Sequence, residues 1–325
     1  MKSVQVVERG RAAFIDVAKP EARPGYVVVR TAYLSLCGSD IRMLHYAADA
    51  CYPYPPGTTG HEMVGTVEAV AEGENYFCVG DQVLALAPGH RAMCEYFLAP
   101  IEHVIPLPAG KPIEVLLQAQ QLGTVMYASQ RLPSLLGKDV AVIGQGSAGL
   151  WFNYLLSRLG ARRIVALDVD ASRLERSRLF GATDVIHNTA VDPQAAIQDC
   201  LEGKLADVVI EAAGETPAIN LAVDLVKQYG DILYFGVPRG QSLSFNFEGF
   251  FHKCCRATTI VGATAEANQN STRMAVNLIA QGQAPAEKLI THHLKFAEVM
   301  EAYEMHHHRT DGCLKIVIEM PGADG

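Results

Sequence analysis

The sequence predicts an α/β protein in two parts, an irregular β unit interrupted by a doubly wound parallel sheet. Two textures carry that expectation. Residues 1 to about 124 hold short β-type runs (YVVVRTAYLSL, EMVGTVEAV, DQVLALAP, EYFLAP, HVIPLP) broken by Pro and Gly, the pattern of a small all-β unit. From about residue 137, apolar runs alternate with helical patterns, and a glycine triplet follows the first of them.

In order, the strand-like runs of the second part are VAVIG, IVALD, DVIHN, DVVIEAAG, DILYFGV and TTIVG. Helical segments at 149–159, 171–180, 192–202 and 216–228 separate the first five. Short apolar strands joined by helices form a parallel six-stranded sheet covered on both faces, because each crossover lays a helix against it. After about 263 the rhythm stops. Helices near 271–281 and 296–307 and a final run, CLKIVIEM, complete the chain. The expected division is a first domain of 1–124 and 263–325 around a second domain of 125–262, with the cleft between them as the natural active site.

The first apolar run, DVAVIG, leads into Gly144-x-Gly146-x-x-Gly149 and a helical pattern ending at Gly160; the second, RRIVALD, closes on Asp168. Alone, such a triplet is weak evidence. Between a buried strand and a helix start, with a carboxylate closing the next strand, it is the fingerprint of a Rossmann dinucleotide site. Gly144 permits the turn, Gly146 admits a pyrophosphate to the backbone, and Gly149 lets helix pack on strand. Ser147 and Ala148 open the helix, whose first-turn N–H groups are unpaired and face an anion. Asp168 can accept both ribose hydroxyls, and its charge repels a 2′-phosphate, so NAD is expected over NADP. Arg173, a few residues on, pulls the other way.

At 325 residues the chain can bury two cores. Its net charge of −8 offers no basic excess for nucleic acid or anionic membrane. No run reaches the ~18 apolar residues of a membrane span, and MKSVQVVERG lacks the apolar core of a signal peptide. Eight scattered cysteines without a CxxC read as reduced thiols, and the expected location is the cytoplasm.

Three patches of the first part carry chemistry: Cys37-Gly38-Ser39-Asp40, Gly60-His61-Glu62 and Gly123-Thr124. Thiolate and neutral imidazole suit zinc, and a catalytic zinc takes three protein ligands and one open position. Taken singly, Cys37 reads equally as a small buried hydrophobe and His61 as a core histidine. The order of motifs adds to this. CGSD, GHE-x-x-G-x-V, VGD-x-V, EY-x-x-x-P, LGT, VIGQG-x-x-GL, the Asp168 strand end and FGVP run over nearly the whole chain. In that order they resemble the zinc-containing medium-chain dehydrogenase/reductase family, which includes alcohol, sorbitol and threonine dehydrogenases.

The resemblance implies a GroES-like catalytic domain, a Rossmann domain, and NAD(P)-dependent oxidation of an alcohol or reduction of a carbonyl. By position it implies Cys37 and His61 as catalytic zinc ligands and Glu62 as a carboxylate that approaches the metal. Ser39 then hands off the alcohol proton, Asp40 orients the site, and Thr124 touches the nicotinamide. Gly214, in the AAG segment, and Val237, in FGVP, join the cofactor contacts.

The chain departs from the family twice. The third ligand position, four residues before Thr124, holds Gln120, a neutral amide. Either Gln120 coordinates weakly, or Glu62 substitutes, or the site holds water or no metal. Arg42 stands where many relatives carry the histidine that ends the proton relay. Arg cannot shuttle a proton at neutral pH, so the relay runs through His45 or water, or Arg42 holds an anionic substrate group, or it is a solvated surface residue. The four closely spaced cysteines of a structural zinc are missing after VGDQV, and no structural zinc is expected.

The expected activity is hydride transfer between NAD(H) and a small alcohol or polyol, or its carbonyl counterpart, in a homodimer or homotetramer. A metal-free NAD(P)H-dependent reductase of C=C, C=N or C=O on the same scaffold is the alternative, and a dinucleotide-binding protein without turnover the remote one. Cysteine pair 254–255 and histidines 292–293 and 306–308 are expected to be structural.

Overall fold

The computed structural model describes residues 1–260 and 262–323. It divides into two units, Met1–Gly123 with Ala263–Gly325, and Thr124–Gly262.

In the first unit, Lys2–Glu8 and Arg11–Asp16 form an antiparallel hairpin. A seven-stranded sheet follows the order Ile290–Lys295, Lys315–Glu319, Tyr26–Ser35, Glu62–Val70, Gln82–Leu86, Val104–Pro106, with Tyr96–Pro100 also paired to Tyr26–Ser35. Tyr26–Ser35 is the spine. Its run of β-branched residues suits a strand covered on both sides, and Val27, Val28, Val29 and Leu34 are all buried. Register places Ser35 opposite Glu62 on one side and opposite Val317 on the other. Cys37 comes just after the end of the spine, and His61 precedes the start of Glu62–Val70. One end of the sheet therefore gathers the residues of two motifs that lie far apart in sequence.

In the second unit the six strands, counted in sequence, take the order 3-2-1-4-5-6, all parallel. They are Asp139–Ile143, Arg163–Asp168, Asp184–His187, Ala206–Glu211, Val226–Tyr234 and Arg256–Thr259. In the first of them every residue is buried. Helices cover both faces, and so the central strands are continuously apolar. The order reverses between Asp139–Ile143 and Ala206–Glu211, the point where open α/β sheets take ligands.

Most predicted elements lie within a residue or two of those observed. The fifth strand is longer than expected: it begins at Val226, and the preceding helix stops at Leu225. The sixth spans Arg256–Thr259 in place of 258–262; Val261 of that expected run lies outside the described residues, as do 324 and 325. A helix at Phe247–His252 and a strand at Ile290–Lys295 are additions that the sequence patterns did not signal. His307, on the late helix Val299–His308, stacks on His45 with ring centroids 3.8 Å apart.

Candidate active site

The helix Gly38–His45 begins directly after Cys37, whose backbone N–H donates to Asp40 Oδ2 at 2.9 Å. That capping bond turns Asp40 inward, where it is fully buried. Its other oxygen, Oδ1, lies 3.3 Å from His61 Nδ1 and 3.5 Å from His90 Nδ1. Asp40 thus fixes the His61 ring and leaves Nε2 toward Glu62 Oε1, 3.8 Å away. Ligand atoms of Cys37, His61 and Glu62 all lie within 4.8 Å of one another.

Glu62 is also fully buried. Its Oε2 accepts from Ser35 Oγ and pairs with Lys315 Nζ at 2.5 Å. Its Oε1 is buried and makes no hydrogen bond among the described residues. A cysteine sulfur, an imidazole and an unsatisfied carboxylate oxygen form a donor set that fits zinc, and the orphaned Oε1 marks where a cation is wanted. Asp40 and His61 sustain each other's charge. Burial opposes charge on both groups, yet the His61 and His90 imidazoles hold Asp40 well below the carboxylate range, and Asp40, with Cys37 behind it, raises His61.

Backbone strain helps place His61. Thr59 is a buried β-branched residue at φ 95°, held by a hydroxyl–hydroxyl bond to buried Tyr303; such a conformation costs about 1–3 kcal/mol. Gly60 donates to His90 O at 3.1 Å and accepts from Ala92 N at 2.9 Å. A Cβ on Gly60 would stand 2.5 Å from Met93 N, so only glycine allows this approach. Ser39 Oγ is buried without a hydrogen-bond partner among the described residues.

The expected third ligand falls in the helix Ala119–Ser129. Gln120 is buried there, and the Nε2 of the next residue, Gln121, lies 3.9 Å from Cys37 Sγ.

In the second unit, Gly144 has φ 92° and leads through Gly146 into the helix Ser147–Arg158. No side chain caps that helix, so the N–H groups of Ser147 and Ala148 and their neighbours remain for an anion. A Cβ on Gly149 would fall 1.9 Å from Gly144 O, the close helix–strand approach the motif predicts. Asp168 is buried at the end of its strand; Oδ2 accepts from Gln145 N and Oδ1 from Asp170 N at 2.9 Å. Each oxygen keeps a lone pair for a ribose hydroxyl. Arg173 reaches back over the turn, with Nη1 3.9 Å from a Cβ built on Gly146. Gly214 and Val237 are adjacent: a Cβ on Gly214 would be 2.2 Å from Val237 O. Thr124 is half-buried near the start of this unit.

Five residues that contact these groups escaped the sequence reading: Ser35, His90, Gln121, Lys315 and Glu211. Glu211 Oε1 accepts from Ala213 N and Gly214 N, both at 2.8 Å, and fixes the loop that carries Gly214. Burial pushes its carboxyl up to about 7 despite those donors. Lys315 alone gave a signal, as a basic residue inside the strand-like run CLKIVIEM.

Cysteine, imidazole and carboxylate gathered in one unit and a glycine turn opening a helix in the other fit an oxidoreductase of the alcohol dehydrogenase kind. Comparison with known proteins agrees. The model for the alcohol dehydrogenase GroES-like domain matches residues 23–109, and that for zinc-binding dehydrogenase matches 148–281. The chain is 27% identical to a sorbitol dehydrogenase of Halalkalibacterium halodurans, over 93% of this chain and 95% of the relative. It is 25% identical to a D-arabitol-phosphate dehydrogenase of Enterococcus avium, over 90% of each. The solved zinc dependent alcohol dehydrogenase 2 from Streptococcus pneumonia superposes with a TM-score of 0.85 at 26% identity, covering 99% of both chains. The chain belongs to the zinc-type medium-chain dehydrogenase family. Among the described residues, no helix is long and apolar enough to cross a membrane.

Proposed function

We propose that this protein oxidises a small alcohol or polyol, or reduces its carbonyl counterpart, using NAD(H) in preference to NADP(H). Cys37, His61 and Glu62 are the residues that would hold a catalytic zinc. The observation that carries the reading is the unsatisfied Glu62 Oε1 within reach of thiolate and imidazole. Bound zinc supplies Lewis-acid polarisation of the substrate oxygen, and bound nicotinamide exchanges the hydride.

The chain's own groups do the rest. Asp40 holds His61 by Nδ1, which sets the tautomer and turns Nε2 to the site. Ser35 and Lys315 hold Glu62 by Oε2, which leaves Oε1 as the donor. Ser39 Oγ, buried and unpartnered, relays the alcohol proton, accepting it while passing its own proton to water in oxidation and the reverse in reduction. Asp168 supports NAD, because a 2′-phosphate would meet its buried charge. A homodimer is supported by the open edge strand Arg256–Thr259, mostly exposed, beside a helix whose Phe247 and Phe251 are 63% and 65% exposed.

The test is a screen of polyols and simple alcohols with NAD⁺, repeated on Cys37→Ala and His61→Ala. Both variants should lose oxidation while NADH binding, read by nicotinamide fluorescence, persists. Near-normal turnover in both would replace this reading with a metal-free reductase.

A further inference from the structure

Asp40 is a junction. One carboxylate oxygen takes the Cys37 N–H, and the other faces two imidazoles, His61 at 3.3 Å and His90 at 3.5 Å. His61 was legible in its motif. His90 was not, and nothing in the proposed mechanism uses it.

Its placement is tightly specified. The turn Pro88–His90 joins the strand Gln82–Leu86 to the segment leading into Tyr96–Pro100, and His90 itself adopts φ 57°. Its carbonyl accepts from Gly60 N, which stitches the turn to the residue before His61. The His90 ring lies 4.2 Å from the His61 ring, centroid to centroid, tilted by 51°. Nδ1 is shut off from solvent and has no hydrogen-bond partner among the described residues; the Asp40 carboxylate, 3.5 Å away, is the polar group it faces. An imidazole held in left-handed backbone, with a buried nitrogen turned to a buried carboxylate, constrains that carboxylate.

We propose that His90 is a positioning residue of the cation site: its Nδ1 holds Asp40, and Asp40 holds His61 in the orientation that presents Nε2. This rests on the zinc reading of the Cys37–His61–Glu62 cluster. Groups one step behind a metal ligand fix its ring and tautomer, and their loss typically weakens metal binding 10–100-fold. His90 acts through Asp40, which keeps its bond from Cys37, so the low end of that range applies, about tenfold.

Two roles must be separated, ring packing and hydrogen-bond donation. His90→Phe keeps a ring beside His61 and removes the donor. His90→Asn keeps a donor near the Nδ1 position and removes the ring. His90→Ala removes both. Zinc affinity of the purified full chain, measured by competition with a chromophoric chelator, is the readout, with the visible spectrum of the cobalt-loaded protein reporting ligand geometry. Far-UV circular dichroism confirms folding; should Ala fail to fold, the Asn and Phe pair still decides. Expected are affinities about tenfold weaker for Ala and Phe, and within about twofold of wild type for Asn, with the cobalt bands shifted only in Ala and Phe. Unchanged affinity in Ala, or rescue by Phe and not by Asn, overturns the proposal while leaving the zinc reading intact. Wild-type protein that takes up no zinc overturns both.

Discussion

Glu211 gives the second unit a pH dependence whose sign and size are set by its surroundings. The side chain is fully buried, one oxygen accepts from two backbone N–H groups, and the other has no hydrogen-bond partner among the described residues. Burial raises its pKa from an ordinary 4.5 to about 7. Between those values the folded protein keeps the proton that the unfolded chain has released, so stability falls as pH rises through this window and levels off above about 7. Each tenfold change in proton affinity is worth about 1.4 kcal/mol, so the full penalty is about 3 kcal/mol. Glu211→Gln keeps the accepting oxygen and cannot ionise. The variant should gain on wild type with rising pH, by about 2–3 kcal/mol between pH 5 and pH 8. Urea unfolding followed by Trp151 fluorescence reads this, since Trp151 is the only tryptophan and is buried in the same unit. A stability difference that stays constant across that range would refute the argument. It would mean that Ala213 and Gly214 compensate the burial and that Glu211 folds ionised.

The other buried charges give two further outcomes. Lys315→Met should destabilise the first unit by about 3–5 kcal/mol, because Glu62 is left buried with its charge unpaired; Glu62→Gln added to it should recover most of that. Urea unfolding by far-UV circular dichroism checks it, and a double variant no better than the single would sink the idea. Asp168→Ala should shift the NAD-to-NADP ratio of kcat/KM toward NADP by about tenfold, or ~1.4 kcal/mol, by removing one charge facing the 2′ position. An unchanged ratio would assign cofactor choice to Arg173 or elsewhere.

The parallel sheet was legible because its signals are local. Each strand is a short apolar run, each crossover has helical period, and Gly144, Gly146 and Gly149 sit at a turn whose sterics admit little else. Cys37, Ser39, Asp40, His61 and Glu62 were legible as ordered motifs. What surrounds them was not, because it is fixed by register and by turns. Lys315 reaches Glu62 only because Val317 pairs with Ser35, a relation no local pattern encodes. His90 reaches Asp40 through a left-handed turn with no motif of its own. That Gln121 approaches Cys37 is a matter of helical phase, where one residue turns a side chain by about 100°. The early end of the helix at Leu225 has the same origin, since the apolar residues there serve either period.

The position of Lys315–Glu319 in its sheet also governs the order in which a nascent chain can become an enzyme. The second unit is one uninterrupted stretch and has all its strands once Gly262 has been made. The first unit has its spine, Tyr26–Ser35, long before the neighbour that must lie beside it, because that neighbour comes after the whole second unit in the sequence. Glu62 waits with it, without the cation that accompanies it into the interior. The parallel-sheet unit can therefore be assembled first, while Glu62 acquires its buried partner only once Lys315 has been made.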